Sequence, residues 1–300
     1  MKLATTTGDF AMYASSWEEC LKGIHDAGFR YVDFGVANRE FLYDDGWRDR
    51  TKRLMEYAES LGMKFIQMHS PDNIDPLDPV RQDELVEITA RSIEIAAMMG
   101  IPQTVVHFGS CRGLSKEEFY KKNLEFYSRL FPAMESTGVN VLVENSPRAH
   151  APEGCWCLST GEELADFLHF ADHPLLHAVW DTGHGNLDGP QYESIIALGS
   201  ELRGLHIHDN GGRADEHALP LSGTVSFDGV MHGLLEIGYS GYFTFEAVRI
   251  LDYKNGQAPR RRYEADRRLR HPTFELQLEA EKLLYAIGKH ILCSYGVFEE

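Results

Sequence analysis

Short runs of apolar, often β-branched residues alternate along this chain with longer stretches whose apolar positions recur at helical spacing. The runs occupy residues 3–7, 31–36, 64–69, 104–108, 140–144, 177–181, 203–207 and 242–248. They read as eight strands buried on both faces, as strands of a parallel sheet are. Their starts lie roughly 25–40 residues apart, close to the length of about 30 that a strand–helix–strand unit needs. Between them, Leu85, Ile88, Ile95 and Met99 follow the 3.6 period and Gly100 stops the helix. Ser115 and Glu118 form a capping box that opens a helix with Phe119, Tyr127, Leu130 and Met134 on one stripe. Ser16 with Glu19 and Ser159 with Glu162 predict two further capping boxes, and a last helix is predicted over 273–290.

Strict alternation predicts a parallel sheet with right-handed crossovers. Eight units in 300 residues predict closure into a (β/α)8 TIM barrel, one domain over 1–300. An open doubly wound sheet would offer a glycine-rich phosphate turn after its first strand, and Thr7-Gly8-Asp9-Phe10 is not one. No linker, low-complexity tract or break in composition marks a second domain.

Composition narrows the class of partner. The chain is 43% hydrophobic and 25% charged, ordinary for a soluble protein with a large core. Lys and Arg number 29 against 46 Asp and Glu, a formal charge of −17, which argues against nucleic-acid or anionic-membrane binding. No apolar stretch is long enough to span a bilayer, and the N-terminus lacks the apolar segment of a signal peptide. Cys20, Cys111, Cys155, Cys157 and Cys293 are too sparse for a disulfide frame and read as reduced thiols of a cytoplasmic protein.

The chemistry lies where the runs end. Gln67-Met68-His69, Val106-His107-Phe108, Val143-Glu144-Asn145, Trp180-Asp181-Thr182-Gly183-His184, Leu205-His206-Ile207-His208 and Phe245-Glu246-Ala247 each close with His, Asp or Glu. In a barrel, those ends meet at one rim, where active sites are built. Any one such residue could be a buried polar group hydrogen-bonded at a strand end; repetition at equivalent positions favours a shared site. Glu144, Asp181 and Glu246 together would repel one another strongly in an apolar setting. A divalent cation bound by Glu144, Asp181, His206 and Glu246 is the natural compensation. Three carboxylates and one imidazole suit Mn²⁺ best, with Zn²⁺, Co²⁺ or Mg²⁺ as alternatives. Asp215 and His217 would add ligands or orient the first set, or simply form a polar loop. His184, three residues past Asp181, would reach the same cavity, whereas His208 shares a face with His206 only if the strand stays regular. Cys155 and Cys157 are too isolated a pair to form a metal site.

The motifs Val-Glu-Asn at 143–145, Asp-Thr-Gly-His at 181–184, Leu-His-Ile-His-Asp at 205–209, Asp-Glu-His at 215–217 and Gly-Tyr-Ser-Gly-Tyr-Phe-Thr-Phe-Glu at 238–246 resemble the xylose isomerase-like barrel superfamily. That group includes sugar epimerases and isomerases, inosose dehydratase and endonuclease IV. Similarity to its ketose 3-epimerases implies Glu144, Asp181, His206 and Glu246 as metal ligands, with His184 on the substrate. Those enzymes carry an arginine six residues after the strand-seven histidine; here Gly212 stands there, with Arg213 next. Similarity to endonuclease IV implies a cluster of three zinc ions on His69, His107, Glu144, Asp181, His184, His206, Asp215, His217 and Glu246. The excess of acids argues against a DNA substrate.

Two segments bear on the substrate. Residues 249–271 hold eight cationic side chains against three acids. They read as a rim loop gripping an anion or as a solvated or subunit-contacting insertion, compatible with a homo-oligomer. Arg148, Trp156, Trp180 and Arg213 are candidate substrate contacts, the tryptophans by stacking on a sugar ring. The expected activity is a divalent-metal isomerase or epimerase of a small sugar, with Glu144 and Glu246 moving the proton through an enediolate. A dehydratase or lyase beginning with the same proton abstraction, a multi-zinc phosphodiesterase, and a barrel that only binds metal or sugar are the alternatives.

Overall fold

A computed structural model describes residues 1–35, 42, 44–251 and 272–300. Eight strands, β1 Lys2–Thr6, β2 Tyr31–Gly35, β3 Lys64–His69, β4 Gln103–Val105, β5 Asn140–Glu144, β6 Leu176–Asp181, β7 Leu202–His206 and β8 Tyr242–Phe245, pair in parallel in sequence order, with β8 returning to β1. The ring closes just past the last pair of strand ends: Ile207 bridges Phe245, its N–H reaching the Thr244 carbonyl at 2.8 Å. The fold is a single-domain TIM barrel.

Helices cover the outside: α1 Trp17–Ala27, α2 Trp47–Ser60, α3 Gln82–Met98, α4 Lys116–Ser128, α5 Phe131–Thr137, α6 Gly161–Ala171, α7 Thr182–Asp188, α8 Gln191–Leu198, α9 Phe227–Glu236 and α10 Phe274–Ser294. The stripe predicted as one helix after Ser115 is two, because Pro132 opens α5 with no N–H to give to α4. The capping box predicted at Ser159 sits one residue later, where Thr160 caps α6 and Glu163 accepts from the Thr160 N–H. At α1, Ser16 caps as predicted, but the Glu19 carboxylate turns to the N–H and hydroxyl of Ser15 at 2.6 Å. β4 is shorter than predicted because the Val106 carbonyl leaves the sheet to accept the Tyr127 hydroxyl at 2.9 Å. None of the described helices is long and apolar enough to cross a membrane.

Alternation along each strand separates two environments. The outer faces and the helices share the large core, with Phe10, Phe29, Phe34, Phe126, Phe167, Trp180 and Phe245 all buried. The inner faces carry a small separate cluster, Val105, Leu142 and Val179. Gly204 is also on the inner side: a Cβ there would lie 2.5 Å from Gln67 Oε1 and 2.8 Å from Leu142 Cδ1. Two residues further along these strands, on the same inner face, stand His69, His107, Glu144, Asp181 and His206. The packed lumen is thus the floor on which the rim chemistry sits.

Candidate metal centre

Glu144, Asp181, His206 and Glu246 each bring one ligand atom into a group whose members all lie within 4.8 Å of one another. His206 Nδ1 is 2.7 Å from Glu144 Oε1 and 3.3 Å from Glu246 Oε2. Asp181 and His206 are sealed beneath, whereas Glu144 and Glu246 line a cavity of about 610 Å³ above them. Three carboxylates and one imidazole at this spacing fit a hard-to-borderline divalent cation.

Among the described residues three further groups overlap or flank the first, one of them His69, His206 and Glu246. His69 and His107 share Glu144, with His107 Nε2 at 2.7 Å and His69 Nε2 at 3.8 Å from Oε2. On the other side, His184, His208, Asp215 and His217 converge: Asp215 Oδ2 is 3.0 Å from His217 Nε2 and 3.6 Å from His184 Nε2. His208, which depended on strand regularity, is fully buried and 3.0 Å from the Asp181 carboxylate.

Backbone carbonyls orient three of these imidazoles. Nδ1 of His69 lies 2.8 Å from the Ser70 carbonyl, that of His184 2.9 Å from Asn145 and that of His217 2.9 Å from Glu246. A carbonyl can only accept, so Nδ1 carries a proton and Nε2 is the nitrogen that faces the site. Local folding secures the rest. Asp181 caps α7, accepting from the His184 N–H at 2.6 Å, and Asn145 clamps β5 to β6 through both backbone groups of Asp181. Asp209 takes the N–H groups of Gly223 and Val225 and pairs with Ala218, which closes the loop holding Asp215 and His217. His217 itself sits at φ 45°, a left-handed conformation uncommon outside glycine, though less so for His than for most residues.

The electrostatics follow from this crowding. Burial pushes the Glu144 carboxyl up, but His206, His107 and His69 outweigh it and hold the group well below the usual range. Asp181 is likewise lowered against burial by His184 and His208. Burial lowers the imidazoles, yet the carboxylates prevail, raising His69 and His217 to about 9 and His184 to about 10.

Several predicted substrate contacts are not brought to this cavity. Trp180 points to the outer face, opposite Asp181, where its Nε1–H donates to Gln191 Oε1 at 2.8 Å. Trp156 is half-exposed and donates to the Leu114 carbonyl at 3.0 Å, outside the cavity wall. Arg148 pairs with Glu163 at 2.7 Å, and Arg213 is exposed and does not line the cavity. Between β5 and α6, His150 lines the cavity with Ser146, Ala151, Pro152 and Cys157; burial and the nearby His184 push its imidazole below its ordinary value. Of the cationic segment, residues 252–271 lie outside the described residues, while Arg249 donates to the Asp215 carbonyl at 3.3 Å. Sequence reasoning missed Asp33, a carboxylate buried in β2 beside His206; an acid in the middle of the apolar run Tyr-Val-Asp-Phe-Gly was the signal.

The xylose isomerase-like TIM barrel family matches the chain over residues 21–269, and the chain belongs to that family. Fructoselysine 3-epimerase of Shigella flexneri is 41% identical over 204 residues, covering 66% of this chain and 72% of that protein. Among solved structures, D-psicose 3-epimerase of Clostridium cellulolyticum with D-tagatose superposes with a TM-score of 0.73 at 14% identity, covering 97% of this chain and 99% of the other. The IolI protein with a bound zinc atom gives 0.74 at 18%, covering 98% and 99%. At those identities the two structures share the fold.

Proposed function

We propose that the protein is a divalent-metal-dependent epimerase or isomerase of a small sugar or sugar derivative. The observation that carries this is the pairing of Glu144 and Glu246: of the four residues that would hold the ion, these two line the cavity. The similarity to fructoselysine 3-epimerase and the zinc in the IolI structure support the reading.

Glu144, Asp181, His206 and Glu246 would hold the ion, with Mn²⁺ the expected metal and Zn²⁺, Co²⁺ or Mg²⁺ as alternatives. When bound, the ion supplies Lewis-acid polarisation of the substrate carbonyl, which acidifies the adjacent C–H. One of the two glutamates takes that proton as general base, and the other returns a proton to the opposite face of the resulting enediolate. Three imidazoles keep Glu144 ionised despite burial, so it faces the cavity as a carboxylate with lone pairs free to accept a proton. His184 Nε2 faces the cavity and would hydrogen-bond the oxygen whose charge changes. If the intermediate instead expels water, the same residues make a dehydratase; product mass separates the two outcomes.

The test is turnover of a panel of ketoses and keto-sugars by metal-loaded protein, read by sugar chromatography with solvent deuterium incorporation. Epimer formation with exchange at one carbon supports the reading, and its absence in wild type across the panel counts against it. A second reading, multi-zinc phosphodiester hydrolysis, is favoured by one observation: the two histidine-rich groups flanking the central four. It requires about three zinc ions per chain and salt-sensitive nicking of abasic DNA.

A further inference from the structure

The imidazole of His206 enters the site the other way round from its neighbours. His69, His184 and His217 hold Nδ1 against backbone carbonyls and present Nε2. His206 presents Nδ1 to Glu144 and Glu246 and points Nε2 into the barrel lumen. There it meets a carboxylate: Asp33 Oδ2 lies 3.2 Å away. Asp33 is 1% exposed, and its Oδ1 has no hydrogen-bond partner among the described residues. Gln67 donates Nε2–H to Asp33 Oδ2 at 2.7 Å, with the same nitrogen 3.0 Å from His206 Nε2, while Gln103 holds the Gln67 carbonyl at 3.1 Å.

At Nε2 two neighbours favour opposite states, while at Nδ1 the Glu144 carboxylate, 2.7 Å away, accepts a proton until an ion takes that lone pair. The Gln67 amide nitrogen is a donor and suits a lone pair on Nε2, which would leave the proton on Nδ1 and block the ligand atom. The Asp33 carboxylate accepts only, and so requires N–H at Nε2. A full charge in the lumen outweighs an amide dipole, because charge-assisted hydrogen bonds are roughly twice as strong as neutral ones.

We propose that Asp33 is a positioning residue: it accepts the Nε2–H of His206 and thereby fixes the tautomer whose Nδ1 lone pair faces the cation site. This rests on the reading of Glu144, Asp181, His206 and Glu246 as ion ligands. Asp33 touches neither substrate nor ion in this arrangement and acts wholly through His206. Carboxylate partners of this kind orient a ligating imidazole and raise its basicity.

The test compares Co²⁺ affinity of the full-length wild type and Asp33→Asn, by competition with a chromophoric chelator, alongside far-ultraviolet circular dichroism. Binding weakened about 10- to 100-fold, with unchanged dichroism, is expected. In Zn²⁺-loaded wild type, long-range ¹H–¹⁵N correlation should show His206 protonated at Nε2 and bound through Nδ1. That measurement decides the matter if Asp33→Asn does not fold. Equal Co²⁺ affinity in the two proteins, or a His206 unprotonated at Nε2, overturns the role of Asp33 alone. A wild type that takes up no Co²⁺ overturns the ion-site reading and this proposal with it.

Discussion

Two groups of buried acids in this barrel meet opposite fates. At the rim, Glu144 and Asp181 are enclosed by imidazoles, and both carboxyls are held below their ordinary values. Behind β1, Asp9 and Glu281 are equally sealed, one in the turn Thr7–Phe10 and the other on α10, close enough to shift each other's ionisation. Burial is the first cause acting on Asp9 and raises it to about 7; burial and the neighbouring Asp9 hold Glu281 well above its usual range. Around Asp9 stand the Thr5 hydroxyl, which donates to it, and the Cys20 thiol, itself pushed up by burial. The farther Glu246 and His217 act on Asp9 in opposite senses. Depth is the same in both groups; the company differs. Carboxylates ringed by imidazoles make a cation site, whereas a pair of acids without a cation keeps a proton and serves packing.

The sharpest way to break the contrast is to neutralise one acid at the rim. Glu144→Gln keeps the shape but removes the carboxylate that His107, His206 and His69 converge on. Turnover should fall by about 10³-fold or more, on the order of 4 kcal/mol of transition-state stabilisation. Metal content by plasma mass spectrometry should fall with it. Glu246→Gln should lose activity over a similar range of about 10²–10⁴-fold. A Glu144→Gln enzyme with wild-type turnover would remove the proton-transfer role. Chelation of wild type should likewise abolish turnover, with recovery on adding Mn²⁺.

Asp215→Asn probes the flanking group. Asp215 lies against His184, His208 and His217 but outside the central four ligands. If the flanking group holds an ion of its own, the variant should bind one ion fewer per chain while the central site stays loaded. An unchanged count assigns Asp215 to orienting His184 and His217 instead.

What was legible in the chain follows from the same physics. Strand ends repeat at regular spacing, so eight units, their closure and the convergence of Glu144, Asp181, His206 and Glu246 could be inferred from local patterns. Side-chain direction past the strand ends could not. Trp180 looks like a sugar platform in the sequence, but the two-residue alternation that turns Asp181 inward turns Trp180 outward. His208 depended on backbone regularity after β7, and only the folded chain brings it to Asp181. Asp33 and the Asp9–Glu281 pair were illegible for another reason. Their partners lie 173 and 272 residues away in sequence, with no motif linking them.

The acid pair supplies the smallest and most diagnostic effect. Both groups are raised in the folded state, so their contribution is fully present below about pH 4, where folded and unfolded chains alike are protonated. As pH rises past about 4 the unfolded chain releases both protons, while the folded chain holds that of Asp9 until about pH 7 and that of Glu281 to higher pH, so stability falls. Each retained proton steepens the loss by about 1.4 kcal/mol per pH unit. Glu281→Gln removes one such proton and keeps a donor for Asp9. Thermal melts at pH 5 and pH 8 should therefore show a shallower decline than wild type, and the variant should gain stability relative to wild type at pH 8. Parallel declines in the two proteins would mean that Glu281 is ionised in the folded state, and that the two acid groups differ less than their surroundings imply.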